Sequence, residues 1–437
     1  MSPLRRHARV LSASLAGTAV EFYDFYIFGT AAALVFGPLF FPASSPSAQL
    51  LLAYATFGVA FVARPVGAVA FGHFGDRIGR KSTLVASLMI MGLSTFAIAL
   101  LPTHAVAGTI APLLLCLLRF GQGFGLGGEW SGAALLAVEN APEGWKGRFG
   151  CVPQLGAPLG FIASNGLFLA LGLWLSPAEF AAWGWRIPFA LSLVLVGIGL
   201  WVRLRLAETP AFRAAMAEAP PPRLPLGEVL ATAWRAVLAG TLGVIACFAV
   251  FYLATAFALG YATTTLGLPR ERMLALQLGA ILFLAAGIVL AGWLADRWSP
   301  RRVLVLGCFG TMLAGALLPF GLVAGDEARV FGWLALALGA MGLVYGPVGA
   351  WLPSLFAARV RYTGTGLAFN VGGVLGGGLT PFAAQWLSGG GLSGGGLSGE
   401  GRGLAPVGLY LALAGGLSLF GLLVLARGSE RDLAAAR

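Results

Sequence analysis

Stretches of about 20 apolar residues, the length that crosses a hydrocarbon core about 30 Å thick, recur along this chain. They fall at 13–40, 50–72, 82–101, 108–138, 151–175, 186–204, 236–260, 273–294, 302–320, 328–350, 364–387 and 405–426. Within lipid the backbone of such a run has to satisfy its own hydrogen bonds, which selects helices. The expected fold is an all-α membrane protein with twelve transmembrane helices, here called runs one to twelve. Composition supports this: 58% of the 437 residues are hydrophobic and 10% charged, against roughly 45–50% and about 25% in soluble domains. Too little polar surface exists to cover a soluble core. Arg5, Arg6 and Arg9 precede the first run as in a signal peptide, but the run is too long for one and contains Glu21 and Asp24, so it reads as a retained helix.

The formal net charge is +11, a value that in a soluble chain would raise nucleic-acid binding. Placement argues otherwise. Of the 28 Lys and Arg, 21 lie at the termini and in the even-numbered loops, which predicts cytoplasmic termini and no nucleic-acid partner. Cys116, Cys151, Cys247 and Cys308 lie in or beside apolar runs without CxxC spacing and read as unpaired small hydrophobes. His7, His73 and His104 are scattered, so no metal site or cofactor is expected.

The chain also echoes itself. GHFGDRIGRK from Gly72 is followed 220 residues later by GWLADRWSPRR from Gly292. Repeats of this kind build transporters from two bundles that rock about a central site. The expected organisation is two pseudo-symmetric six-helix bundles, 1–204 and 236–437, joined by a cytoplasmic segment 205–235 that carries ETPAF, the run Pro220 to Pro222 and, counted from Arg203, five Arg. The repeated Gly-x3-Asp-Arg pattern suits a cytoplasmic latch, with Gly admitting close helix ends and the charges able to separate. Gly72, Asp76, Arg77, Gly79, Arg80, Glu129, Glu139, Asp296 and Arg297 are assigned to this gate.

EFYDFYIFG in run one, RPVGAVAFGHFGDRIGRK in run two, RFGQGFGLGGEWSGAALLAVENAP in run four, WRIPF opening run six, AETPAF after it and FNVGGVLGGGLTP in run eleven resemble the major facilitator superfamily, and within it the metabolite:proton symporter family. The match runs in order over most of the chain. It implies two bundles in an inner membrane and proton-driven import of a small metabolite by alternating access. It departs at three places: His73 replaces an aliphatic residue, Lys146-Gly147 stands for Arg-Gly, and Ser299-Pro300 with one extra residue replaces Gly in the second latch. The last predicts a looser latch there.

Charges inside a membrane span are costly and mark pathways or coupling sites. Here they are Glu21 and Asp24 in run one, Arg64 in run two, and Arg119 and Glu129 in run four. At 1.5 Å rise per residue, Asp24 and Arg119 each lie about 16 Å from a membrane face, near the midplane. Glu21 and Arg64 fall together about one turn nearer the cytoplasm. These four are the expected proton-coupling groups. Asp24 opposite Arg119 is the expected ion pair, opened by protonation, and the resemblance to proton-coupled sugar carriers points to the same couple.

Aromatic and amide side chains at mid-depth are the substrate-contact candidates: Tyr23, Tyr26, Arg119, Gln122, Gln154, Asn165, Tyr252, Gln277, Tyr345 and Asn370. Arg119 suits a carboxylate, hence an organic acid or a zwitterion. Gly123, Gly125 and Gly128 form a GxGxxG string, but within an apolar helix small residues for close packing explain it better than a dinucleotide site. No nucleophile, base and orienting acid converge, so catalysis is not expected. The partners expected are substrate, protons and the bilayer around a monomer. Uniport or antiport on the same fold stays open, as does a receptor that senses ligand without moving it. The Gly/Ser-rich stretch from Ser388 reads as a flexible linker.

Overall fold

The computed structural model describes residues 3–42, 45–78, 80–205, 225–357, 360–389 and 403–426, which are helical with turns and bends between the helices. Most of the 205–235 connection and nearly all of the Gly/Ser-rich stretch lie outside the described residues. Among the described residues ten helices are long and apolar enough to cross a membrane; an eleventh is reached if Pro177–Gly184 and Arg186–Trp201, bent by 43°, count as one. Run three forms the helix Arg80–Ala99, whose apolar part, Val85–Ala99, is shorter. The chain is thus a multi-span α-helical membrane protein.

Burial sorts these helices into central and peripheral ones. Val10–Phe40 and Trp234–Thr264 are buried over 83% and 94% of their apolar windows, against 44% for Arg270–Arg297, Pro300–Gly321 and Ala405–Leu425. The two central helices are runs one and seven, which the internal repeat makes equivalent. Packing repeats in the same way. Run one packs on runs five and six, run two on run four, and run three on runs four and six; run seven packs on runs eleven and twelve, run eight on run ten, and run nine on runs ten and twelve. Two further seams, run two against run eleven and run five against run eight, map onto each other under the same shift of six.

Small residues allow the closest approaches. A Cβ on Gly123 would overlap the Ala60 carbonyl, one on Gly67 the Phe124 carbonyl and one on Gly127 the Arg64 carbonyl. Runs two and four therefore meet backbone to backbone, the arrangement that replaces hydrophobic drive between helices in lipid. A Cβ on Gly125 would lie 2.7 Å from the Ser87 carbonyl of run three. The GxGxxG string is a packing surface. Exposed Trp174, Trp183 and Trp386 sit near one set of helix ends and Trp201, Trp293 and Trp298 near the other, as belts at two membrane interfaces do. In WRIPF, fully buried Trp185 packs on Phe36, Phe40 and Phe189. Arg186 donates to the Ala99 and Leu101 carbonyls, 2.6 and 2.7 Å away, which closes the C-terminal end of run three.

Candidate functional site

The buried charges lie on the central helix of the first half and its neighbours. Asp24 is fully buried, and both its carboxylate oxygens lack a hydrogen-bond partner among the described residues. Arg119 is fully buried too, with Nε and Nη2 unpartnered and its guanidinium carbon 4.3 Å from the Phe25 ring, 4.1 Å from Phe28 and 5.0 Å from Phe57. The expected Asp24–Arg119 ion pair is not formed in this conformation. Gln122, one turn along from Arg119, stands in its place. Its Oε1 accepts from Arg119 Nη1, while Nε2 donates to the backbone carbonyl of Asp24 at 2.7 Å and to Thr95 Oγ1 at 3.0 Å. An amide satisfies one guanidinium N–H without supplying a charge, and the aromatic faces take the cation.

Glu21 and Arg64 are brought together, Oε1 to Nη2 at 3.9 Å, both buried. Arg64 Nε donates to Asn370 Oδ1 at 3.0 Å, and Asn370 Nδ2 donates to the Gly127 carbonyl at 2.8 Å. Asn370 thus spends both ends of its amide on protein partners. Phe25, Phe61 and Phe369 surround the Arg64 guanidinium at 5.6 to 5.9 Å.

The remaining substrate candidates divide. Tyr26, Asn165 and Tyr252 line a small cavity with Thr30, Phe57 and Thr255, with room for about one water molecule. Asn165 accepts from Thr30 at 2.6 Å. Gln277 donates to the Ala254 and Thr255 carbonyls at 3.0 and 2.8 Å, pinning the π-helical turn Leu253–Phe257, and its own buried carbonyl oxygen has no partner among the described residues. That turn touches its repeat counterpart Ala32–Phe36. Tyr345 is buried. Gln154 accepts from Trp130 at 3.0 Å and donates to the Tyr345 carbonyl at 3.4 Å, and Trp130 stacks flat on Phe369 at 3.6 Å. Tyr23 points elsewhere, donating to the Pro188 carbonyl at 2.9 Å.

Hydrogen bonds cross the seam between the halves near both of its ends. At one end Tyr54 donates to the Ala256 carbonyl at 2.6 Å. At the other, Asp296 Oδ1 accepts from the Gly147 N–H at 2.6 Å, and Oδ2 accepts from Arg148 Nε at 2.6 Å and its N–H at 3.2 Å. Asp296 thereby sits at the positive end of the helix Lys146–Gln154. Gly147 makes room for it, since a Cβ there would lie 2.8 Å from Asp296 Oδ1. Three hydrogen bonds hold Asp296, while the side chains of the first-half latch lie outside the described residues. Ser299 accepts from the Arg302 N–H at 3.3 Å and Pro300 opens the next helix, so the departure from Gly forms an N-cap.

Arg297 lies against Trp293, 4.0 Å from its ring. Glu129, first in the helix Glu129–Glu139, accepts from Ser87 at 2.8 Å, and Glu139 at its other end is exposed. The side chains of Asp76, Arg77 and Arg80, and Gly79 altogether, lie outside the described residues, and Gly72 is described only as part of the helix Pro46–Ile78. Sequence reasoning does not single out Trp130, Thr95, Thr30, Tyr54 or Arg148, because polar residues of these types mark nothing until a partner on another helix, 24 to 202 residues away, is known. Asp296→Ala is expected to cost about 2–3 kcal/mol, because two helix N–H groups and a guanidinium lose a charged acceptor. Arg148→Ala should cost less than half of that, since both N–H bonds survive. Melting temperatures of the purified variants check the order.

Fold and centre together define a multi-span carrier-type protein, polar at its core and bridged by hydrogen bonds near both ends. The sequence pattern of the Major Facilitator Superfamily matches residues 14–381, and the chain belongs to that superfamily. It is 46% identical over 429 residues to the Escherichia coli inner membrane metabolite transport protein YhjE, covering 97% of this chain and 95% of that one. It is 40% identical over 401 residues to the E. coli shikimate transporter, covering 88% of each. Among solved structures, the E. coli xylose transporter XylE in a partially occluded inward-open conformation superposes with a TM-score of 0.73, at 15% identity, over 94% of this chain and 96% of that one.

Proposed function

We infer that this chain is a secondary active transporter that imports a small hydrophilic metabolite bearing a carboxylate, an organic acid or a zwitterion, together with protons by alternating access. Twelve spans form two six-helix bundles, 1–204 and 236–437, with Arg80–Ala99 and the bent pair each counting as one. The packing that recurs under a shift of six runs supports this division. The Lys and Arg bias supports cytoplasmic termini, and the name of the YhjE relative supports an inner membrane. The carrier works as a monomer, since each half already finds its partner within the chain.

One observation carries the coupling: among the described residues the fully buried Asp24 has no partner for its carboxylate, and on run four, which Gln122 ties to the Asp24 backbone, Arg119 keeps two unpartnered nitrogens. A bare carboxylate in that place costs several kcal/mol, and a proton removes the cost. The closed state therefore carries the proton on Asp24 while Gln122 and the Phe rings hold Arg119. Loss of the proton restores the charge, and Arg119 can swing from Gln122 to pair with it. The two arrangements differ in where the first helix meets the fourth, which is how protonation selects between open states. Tyr26, Asn165, Tyr252 and Gln277 supply substrate contacts from both bundles, around a cavity that is collapsed in this closed state. Tyr23, committed to Pro188, takes no part.

Uptake of labelled shikimate, glycine betaine and xylose into proteoliposomes, with and without an inward proton gradient, tests this. The expected result is gradient-stimulated uptake of one of the first two. Uptake indifferent to pH makes the chain a uniporter, and no uptake of any favours a receptor.

A further inference from the structure

We propose that Asn370, with Tyr362, is a positioning residue that holds the cytoplasmic end of the seam shut by docking onto the break in run four, and that it ties this closure to the buried charges through Arg64. The proposal rests on the transport reading above and deepens it.

Run four is two helices. Ile110–Leu126 ends and Glu129–Glu139 begins with Gly127 and Gly128 between them. A helix end exposes carbonyls with no partner of their own, and in a dry interior these need donors from elsewhere. The donors come from the other half of the chain. Asn370 Nδ2 donates to the Gly127 carbonyl at 2.8 Å and the Tyr362 hydroxyl to the Gly128 carbonyl at 2.6 Å. Both side chains belong to the helix Arg361–Gly373. Opening the seam at this end must pull that helix off run four and break both bonds.

The other end of the Asn370 amide accepts from Arg64 Nε at 3.0 Å, and Arg64 faces Glu21 at 3.9 Å. Phe25, the residue after Asp24, touches both guanidinium groups: Arg119 at 4.3 Å from its ring and Arg64 at 5.6 Å. The contiguous path from the protonated acid to the latch is therefore Arg119, Phe25, Arg64, Asn370 and the Gly127 carbonyl, each in contact with the next.

Cys151 provides a native probe. It is buried in the seam, where a Cβ on Gly292 would lie 2.8 Å from its Sγ and one on Gly346 3.2 Å. A parent carrying Cys116→Ser, Cys247→Ala and Cys308→Ala leaves it as the sole thiol, to be labelled by an impermeant maleimide in inside-out vesicles. Tyr362→Phe is expected to raise the labelling rate about fivefold and Asn370→Ala about twenty-five-fold, the effects of one and two lost hydrogen bonds on the open fraction. Tyr54→Phe, which removes the bond at the opposite end, should leave the rate unchanged. Asp24→Asn should change the parent's rate by about threefold or more and have no effect once Asn370 is Ala. Parent-like labelling in both latch variants overturns the latch, and an equal rise in Tyr54→Phe reduces it to general loosening. A response to Asp24→Asn that survives Asn370→Ala overturns the link to the charges. Labelling needs no substrate, so a chain that moves none of the three test compounds yet shows this pattern loses the transport reading and keeps this one.

Discussion

Asp24→Asn is expected to abolish accumulation while sparing exchange. With an imposed gradient of about one pH unit, a single coupled proton sustains about tenfold accumulation, since one unit is worth about 1.4 kcal/mol. The asparagine variant has no titrating group there, so its internal and external substrate should equalise. Counterflow, which needs only the loaded carrier to reorient, should continue within a few-fold of the parent, because asparagine matches the neutral acid in shape. Both quantities come from one proteoliposome preparation. Accumulation by the variant at the parental ratio would remove Asp24 from the coupling scheme.

The second large effect is on folding. Gly123→Val places a branched side chain where even a Cβ would overlap the Ala60 backbone carbonyl. Overpacking usually costs about 1–3 kcal/mol, and more where neighbours cannot yield. A carbonyl inside a helix yields less than a side chain, and the same stretch carries the approach of Gly127 to Arg64. A loss of at least about 3 kcal/mol is expected, seen as little monodisperse protein after extraction and a large fall in melting temperature. Gly166→Ala is the control: a Cβ there meets nothing within 4 Å, so it should be neutral or slightly stabilising. Equal behaviour of the two would mean that runs two and four do not pack through backbone contact.

Much of the architecture was legible because membrane solvation is a one-dimensional constraint. An apolar run long enough to span has to be a helix wherever it sits, so the positions of the runs follow from hydropathy alone. The repeated GHFGDR and GWLADR strings announced the equivalence that packing then repeated, run for run. Depth arithmetic was also reliable, since rise per residue is fixed: Glu21 and Arg64 were predicted at one level and lie 3.9 Å apart.

Partner choice was not legible at the same depth. Asp24 and Arg119 share a level, yet Gln122 and three phenylalanine rings hold the arginine and leave the acid bare. Asn370 had the residue type of a substrate contact and proves to be spent between Arg64 and Gly127. Ser299-Pro300 read as a weakened latch and caps a helix, while Asp296 reaches Arg148 across 148 residues.

The sequence by itself determined that this is a polytopic helical protein, where its apolar runs fall, and where along each the few charges lie, because burial in lipid is settled residue by residue. Only the tertiary structure decided which of those charges meet, which glycines admit a neighbouring backbone, and where hydrogen bonds cross the seam. Rotation of one helix against another changes every side-chain partner without altering hydropathy or depth.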